Sequence, residues 1–214
     1  MGVECNMSGA SVIRAAFLTV VIAFSGESSA LALPTLHEGD LIFQTSKSSQ
    51  SIAVQKATRS PYSHMGVILN FDGSLCVFEA VATVRCTPIQ KWIARGESGH
   101  YALKRLKSDE LLSAPETLKR LRAVAQSFAG LPYDLTFEWS DSRMYCSELV
   151  WKLFDRALGV SIGDLSKLRD FDLASPAVQK KLEERYHGKP PLGESVISPE
   201  AMFNSPMLVE VARE

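Results

Sequence analysis

Of the four cysteines in this sequence, the residue type best suited to act as a covalent nucleophile near neutral pH, one is set apart by its surroundings. Cys146 stands in Tyr145-Cys146-Ser147-Glu148, after the polar run Trp139-Ser140-Asp141-Ser142-Arg143 and before Leu149, Val150, Leu153, Phe154 and Ala157. Those apolar residues recur at helical spacing and make one buried face. A helix is therefore predicted over about Cys146 to Leu158, closed by Gly159, with the cysteine in its first turn. The positive end of the helix dipole favours thiolate over thiol there, and the thiolate is the reactive form. The unpaired N–H groups of that turn can also hold a developing oxyanion. On position alone, a buried structural cysteine is an equal reading. Cys76 and Cys86 lie in strand-like apolar segments and read as core residues or as a disulfide pair.

A thiol nucleophile needs a base. His37, His100 and His187 fall in an exposed N-terminal stretch, at the start of a strand and in a solvated loop, respectively. His64 opens the apolar run Met65-Gly66-Val67-Ile68-Leu69, so a strand end would hold its ring rigidly beside a helix terminus. The third group, which orients the imidazole, is expected to be Glu79. If Asp72-Gly73 centres a hairpin, position 66 lies opposite 79, two residues from His64. A glutamate among Val77, Phe78, Ala80 and Val81 invites an explanation other than a surface position.

The elements that would carry these groups follow from periodicity and punctuation. Gly39-Asp40 leads into the strand Leu41-Ile42-Phe43-Gln44, and residues 48–57 read as a helix. Two strands, 65–71 and 75–81, flank the Asp72-Gly73 turn. Thr87-Pro88 reads as the capped start of a helix running through 89–95, and 100–106 alternates like a half-buried strand. Ser113 and Glu116 suggest a capping box opening a helix that Gly130 closes. After the Cys146 helix come a helix near 176–186, a capped turn at Ser198-Pro199-Glu200 and a last strand near Leu208-Val209. Strands first, then helices, then a final strand predict an α+β fold with a mainly antiparallel sheet. Trp92, Trp139 and Trp151 read as core or pocket wall, and Lys104-Arg105 as a solvated face. Asp40 reads as a turn or site contact, and Gln55 as helix surface.

Composition narrows the class. The chain has 214 residues, 46% hydrophobic and 22% charged, which excludes a disordered or fibrous protein. With 23 basic against 24 acidic residues there is no electrostatic reason to expect a nucleic-acid partner. Arg14 precedes an apolar run, Ala15 to Gly26, that is short against the roughly 20 residues of a membrane span. It is followed by Ala30-Leu31-Ala32, an A-x-A cleavage signature. Residues 1–32 are thus expected to be a signal peptide and 33–214 the mature domain. Cleavage would leave Cys76, Cys86 and Cys146, an odd number that points to a free thiol.

The segments Gly39-Asp40-Leu41-Ile42-Phe43, Ser63-His64-Met65-Gly66-Val67, Phe78-Glu79-Ala80 and Tyr145-Cys146-Ser147-Glu148-Leu149-Val150 come in a distinctive order. That order resembles the circularly permuted papain-like amidases, the YiiX-like branch of the NlpC-type cysteine hydrolases. In ordinary papain-like enzymes the cysteine precedes the histidine; in this branch, as here, the histidine comes first. The resemblance runs from about Gly39 to Val150, with weaker support at Tyr133-Asp134 and Ser198-Pro199. It implies a permuted papain-like fold, a mainly antiparallel sheet or small barrel packed against helices. It also implies a catalytic Cys146, His64 and Glu79, with Tyr145 as a substrate or oxyanion contact. The implied activity is amide hydrolysis through a thioester, commonly on peptides such as those of the bacterial wall, with no metal or organic cofactor. Some distant relatives hydrolyse or transfer lipid acyl groups instead, and a wall-binding module without activity is a third possibility. The expected protein is exported, periplasmic or extracellular. It takes a peptide or peptidoglycan-derived amide and keeps no stable membrane anchor once its leader is removed.

Overall fold

The computed structural model describes residues 34–108 and 110–214; the expected leader, residues 1–32, lies outside them. In chain order the elements are β1 (Leu41–Gln44), α1 (Ser51–Thr58), β2 (His64–Phe71), β3 (Ser74–Ala80), β4 (Val84–Pro88), α2 (Ile89–Arg95) and β5 (Ala102–Leu106). They continue with α3 (Glu110–Ser113), α4 (Pro115–Phe128), α5 (Cys146–Leu158), β6 (Ser166–Lys167), α6 (Pro176–Tyr186), β7 (Ser195–Val196), α7 (Pro199–Phe203) and β8 (Leu208–Arg213). The architecture is α+β. Six antiparallel strands form one sheet in the order β4-β3-β2-β1-β5-β8, and β6 pairs with β7 in a short second ladder. The large sheet ends at β4 and β8, so it is open and not a closed barrel.

Both faces of the sheet centre are covered, which explains why β1 is buried at all four positions. Alternate residues point to opposite faces. Leu41, Phe43, Met65, Val67 and Leu69 join Leu121, Ala125, Leu149, Val150 and Leu153 of α4 and α5 in the larger core. Ile42, Ile68 and Val77 pack with Trp92 of α2 on the other side. The β2–β3 turn is the expected one: Asp72 and Gly73 have φ of +53° and +79°, the pair of positive values that a two-residue hairpin of matching twist requires. Its register runs from Phe71 opposite Ser74 to Val67 opposite Phe78, and continuing it sets Gly66 against Glu79. A Cβ on Gly66 would lie 2.5 Å from Val77 Cγ1 and 2.8 Å from the Phe78 carbonyl. Glycine is therefore what lets β2 and β3 close beside the glutamate. Among the described residues no helix is long and apolar enough to cross a membrane.

Three expectations are corrected. The helix expected over 89–95 is α2, but Thr87 is not its cap and Pro88 is not in its first turn: both end the edge strand β4, and Pro88 is the N-cap, with no side-chain cap bond. Only Val84 and Thr87 of that strand turn inward, so its alternation is too short to be seen in sequence. What holds it is pairing with β3 and the Cys76–Cys86 disulfide across the two strands, with Cα atoms 5.6 Å apart. The Ser113–Glu116 capping box is absent as well. Ser113 ends α3, and α4 starts at Pro115 after an extended Ala114, because proline fits the first helical position and biases its predecessor toward extended backbone. Finally, Lys104 and Arg105 are not a solvated face. Lys104 donates to the Phe203 carbonyl, and Arg105 pairs with buried Asp40 at 2.6 Å.

Candidate active site

His64 is the first residue of β2, where the sheet ends and a side chain can reach past it. Its Nε2 lies 2.6 Å from Glu79 Oε2. Glu79 is fully buried, and its second oxygen accepts from Thr87 Oγ1 at 2.6 Å and from the Arg95 guanidinium. Burial pushes the carboxyl toward its neutral form. The hydrogen bond and charge of His64, then Thr87 and Arg95, outweigh it and hold Glu79 below the usual carboxylate range. The imidazole lies nearly parallel to the indole of Trp92, with ring centroids 5.9 Å apart.

Cys146 is the first residue of α5. It is buried and, among the described residues, it is the free cysteine once Cys76 and Cys86 are paired. The start of the helix is clamped from two sides. Tyr145 N–H donates to the Glu148 carboxylate at 3.3 Å. Ser147 Oγ donates to the Ile197 carbonyl at 2.8 Å, while Ile197 N–H donates to the Tyr145 hydroxyl at 3.0 Å. These bonds fix the helix N-terminus against the 195–198 segment, so the thiol is carried on rigid backbone.

The two sides meet at the imidazole. Burial disfavours a charged ring at His64, but hydrogen bonds to Cys146 and Glu79, and the negative charge of both, outweigh it and raise the ring to about 9. With Nε2 on Glu79, Nδ1 is the nitrogen left for the thiol. The structure thus brings Cys146, His64 and Glu79 together: the imidazole is hydrogen-bonded to the carboxylate and lies close enough to the thiol for each to act on the other's charge. Tyr145 lines the same region, with its hydroxyl taken by Ile197 and its ring edge-on to Phe137.

A second phenol borders the same cavity as Cys146. Tyr133, in the loop between α4 and α5, is held by its N–H on the Ala82 carbonyl, while the next residue, Asp134, bonds Met144 through its own N–H. Asp134 is buried and folds the following loop onto itself by accepting from Thr136 and Glu138 N–H groups. The Tyr133 hydroxyl accepts from Gln50 Nε2 at 3.1 Å. Burial, and then the charge of Cys146, raise this phenol, so it stays protonated. Sequence reasoning missed Tyr133, Thr87 and Arg95 as site residues. Nothing periodic marks a loop tyrosine, and Thr87 and Arg95 act only through a carboxylate that the fold delivers.

Two concavities open on either side of this line. A narrow cavity adjoins Cys146 and is walled mainly by apolar side chains such as Val54, Phe137, Leu168, Phe171 and Leu182. A more polar groove adjoins His64 and is bordered by Gln44, Ser46, Ser48 and Arg95. Gln50, Ser63 and Tyr133 border both. Among the described residues, no group of three or more His, Cys, Asp or Glu side chains is arranged to hold a metal ion.

Residues 35–212 match the family described as permuted papain-like amidase enzyme, YaeF/YiiX, C92 family. The uncharacterized protein YiiX of Escherichia coli strain K12 is 49% identical over 176 residues, which cover 82% of this chain and 86% of that protein. The crystal structure of a protein described as metalloprotein yiiX, from Escherichia coli O157:H7, superposes with a TM-score of 0.79. It is 47% identical, and the match covers 83% of this chain and 97% of that one.

Proposed function

The chain belongs to the YaeF/YiiX family of permuted papain-like cysteine amidases, and from that premise we propose that Cys146, His64 and Glu79 perform the hydrolysis. The observation that carries this is a buried imidazole bonded to a carboxylate held by three donors, with the thiol at the start of α5 as its electrostatic neighbour. The Cys146 sulfur attacks the substrate carbonyl and forms a C–S bond. The oxyanion is received by the Cys146 backbone N–H and the Tyr133 hydroxyl. Collapse breaks the C–N bond as His64 gives its proton to the departing nitrogen. Water then attacks the thioester, losing its proton to His64 as the C–O bond forms; the C–S bond breaks, the acid leaves and the Cys146 thiolate is restored beside the protonated imidazole. Glu79 stays ionised throughout and holds the ring in the working tautomer.

The two concavities divide the substrate. The acyl half remains on sulfur, so it must occupy the apolar cavity beside Cys146. The leaving half is protonated by the imidazole, so it is placed in the groove beside His64, which is more polar than the Cys146 cavity. This favours an amide or ester with an apolar acyl chain over a charged cell-wall peptide. Export to an oxidising compartment is the proposed location, and the Cys76–Cys86 bond is consistent with it. The solved relative is described as a metalloprotein. Here the imidazole Nε2 and both Glu79 oxygens are already bonded within the protein, and no third His, Cys, Asp or Glu joins them in a ligand set among the described residues, so the site does not fit a metal ion and no step passes through one.

The test is one assay series. Cys146→Ala abolishes release of fatty acid from N-acyl amides while its melting curve matches the parent. In the parent, kcat/KM rises about fourfold per added methylene, the transfer free energy of a buried CH₂. Turnover surviving in Cys146→Ala rules out the nucleophile. A flat chain-length series with good cleavage of wall peptides returns the substrate to the peptide class.

A further inference from the structure

Tyr133 is reached by a chain of hydrogen bonds that starts on a distant helix. The Arg185 guanidinium, in the last turn of α6, donates to Gln50 Oε1 at 2.6 Å. Gln50 Nε2 donates to the Tyr133 hydroxyl at 3.1 Å. Every direction in this chain is determined by chemistry. A guanidinium has donors and no acceptor, so the amide oxygen of Gln50 must face Arg185 and its NH₂ must face the phenol. A phenol has one hydrogen; with its oxygen receiving the amide N–H, that hydrogen is free to point elsewhere. Tyr133 and Cys146 border the same cavity. Arg185 is itself held over the Phe137 ring, 4.8 Å from its centroid.

We propose that Arg185 and Gln50 are positioning residues that prime Tyr133 as the oxyanion donor, aiming its O–H at the carbonyl oxygen above Cys146 and polarising it from the far end of the chain. This deepens the hydrolase reading and rests on it. Aligned donors strengthen one another in a low-dielectric site, and a charge at the head of the chain makes the last O–H the better donor. The three residues come from α6, the residue before α1 and the α4–α5 loop. Packing of those segments would therefore set catalytic competence as well as stability. Arg185 also borders the apolar cavity, so the competing role is direct contact with an anionic part of the substrate.

The test uses the full chain and two reagents for the same sulfur. Acylation by p-nitrophenyl butyrate forms a C–S bond, expels p-nitrophenolate and passes through an oxyanion. Alkylation by iodoacetamide displaces iodide at a saturated carbon and has no oxyanion. Tyr133→Phe slows acylation about a hundredfold, the scale for one lost oxyanion donor. Arg185→Met slows it about tenfold with KM unchanged, and Arg185→Lys recovers most of that loss. In a Tyr133→Phe background Arg185→Met has no further effect, because its route to the reaction is already cut. Alkylation rates stay at the parent value in all four variants, which also shows each variant is folded at the site. The proposal is overturned if Arg185→Met leaves acylation unchanged, costs the same in both backgrounds, acts on KM alone, or slows alkylation equally. No acylation in the parent, or acylation that survives Cys146→Ala, removes the hydrolase reading and this inference with it.

Discussion

Glu79 and Glu148 are both fully buried, both lie within the site region, and they are driven in opposite directions. Glu79 is met by aligned donors from three elements: the imidazole of β2, the hydroxyl of β4 and the guanidinium of α2. It is held ionised. Glu148 receives one longer N–H bond, from Tyr145, and the Lys152 ammonium. The latter lies 2.8 Å from its Oε1, near enough for an ion pair but off the line of a hydrogen bond. Burial prevails there over Lys152 and raises the carboxyl to about 7. Burial alone therefore does not decide a carboxylate's charge. What decides is whether several donors are delivered in alignment, and only the catalytic candidate has them.

The sharpest way to break this contrast is Glu79→Gln. Its shape is kept and its charge lost, so kcat falls about a thousandfold, roughly 4 kcal/mol of transition-state stabilisation. The alkaline limb of the pH–rate profile tests the same link. Activity falls as pH rises through the imidazole value near 9, where His64 loses its proton, and in Glu79→Gln that limb moves to lower pH. A limb that stays in place would mean Glu79 does not act through the ring.

Glu148→Gln gives the opposite kind of result, in stability. The folded value near 7 lies above the ordinary carboxylate value of 4.5. The stabilising neutral form is therefore fully present below 4.5 and is lost as pH rises through 7. Between pH 4.5 and 8 the parent loses about 3 kcal/mol relative to Glu148→Gln in urea unfolding. Lys152 keeps the Ser140 carbonyl at 2.5 Å and Asp141 at 3.0 Å in the variant, so it is not stranded. For Glu79 the sign is reversed: its contribution is present above 4.5 and lost on acidification. Parallel pH–stability curves for Glu148→Gln and its parent would erase the contrast.

The smallest effect is expected at Thr87→Val. It removes one of the donors to Glu79 and leaves two, costing about 1 kcal/mol, or about fivefold in kcat. A larger loss would mean that Thr87, and not the charged partners, sets the carboxylate's orientation.

Much of this was readable beforehand where the cause is local. The α5 boundaries followed from the spacing of Leu149, Val150, Leu153 and Phe154 and from Gly159. The β2–β3 register followed from Asp72-Gly73 because a two-residue turn leaves no freedom to slip. β4 was not readable, since an edge strand of mixed composition exists only by pairing. Nor were Tyr133, Gln50 and Arg185, whose bonds span 83 and 135 positions of the chain.

The amino-acid order by itself determined that a thiol would start a helix, that an imidazole would open a strand, and that a carboxylate would face that strand across a tight turn. These depend on periodicity and turn chemistry acting over a few residues. Tertiary structure alone decided which phenol ends the Arg185–Gln50 chain beside the Cys146 cavity, which donors keep Glu79 charged and which half of the site is the more apolar. Those outcomes depend on side chains far apart in sequence arriving in one low-dielectric place, where the alignment of each donor sets the charge of its neighbour.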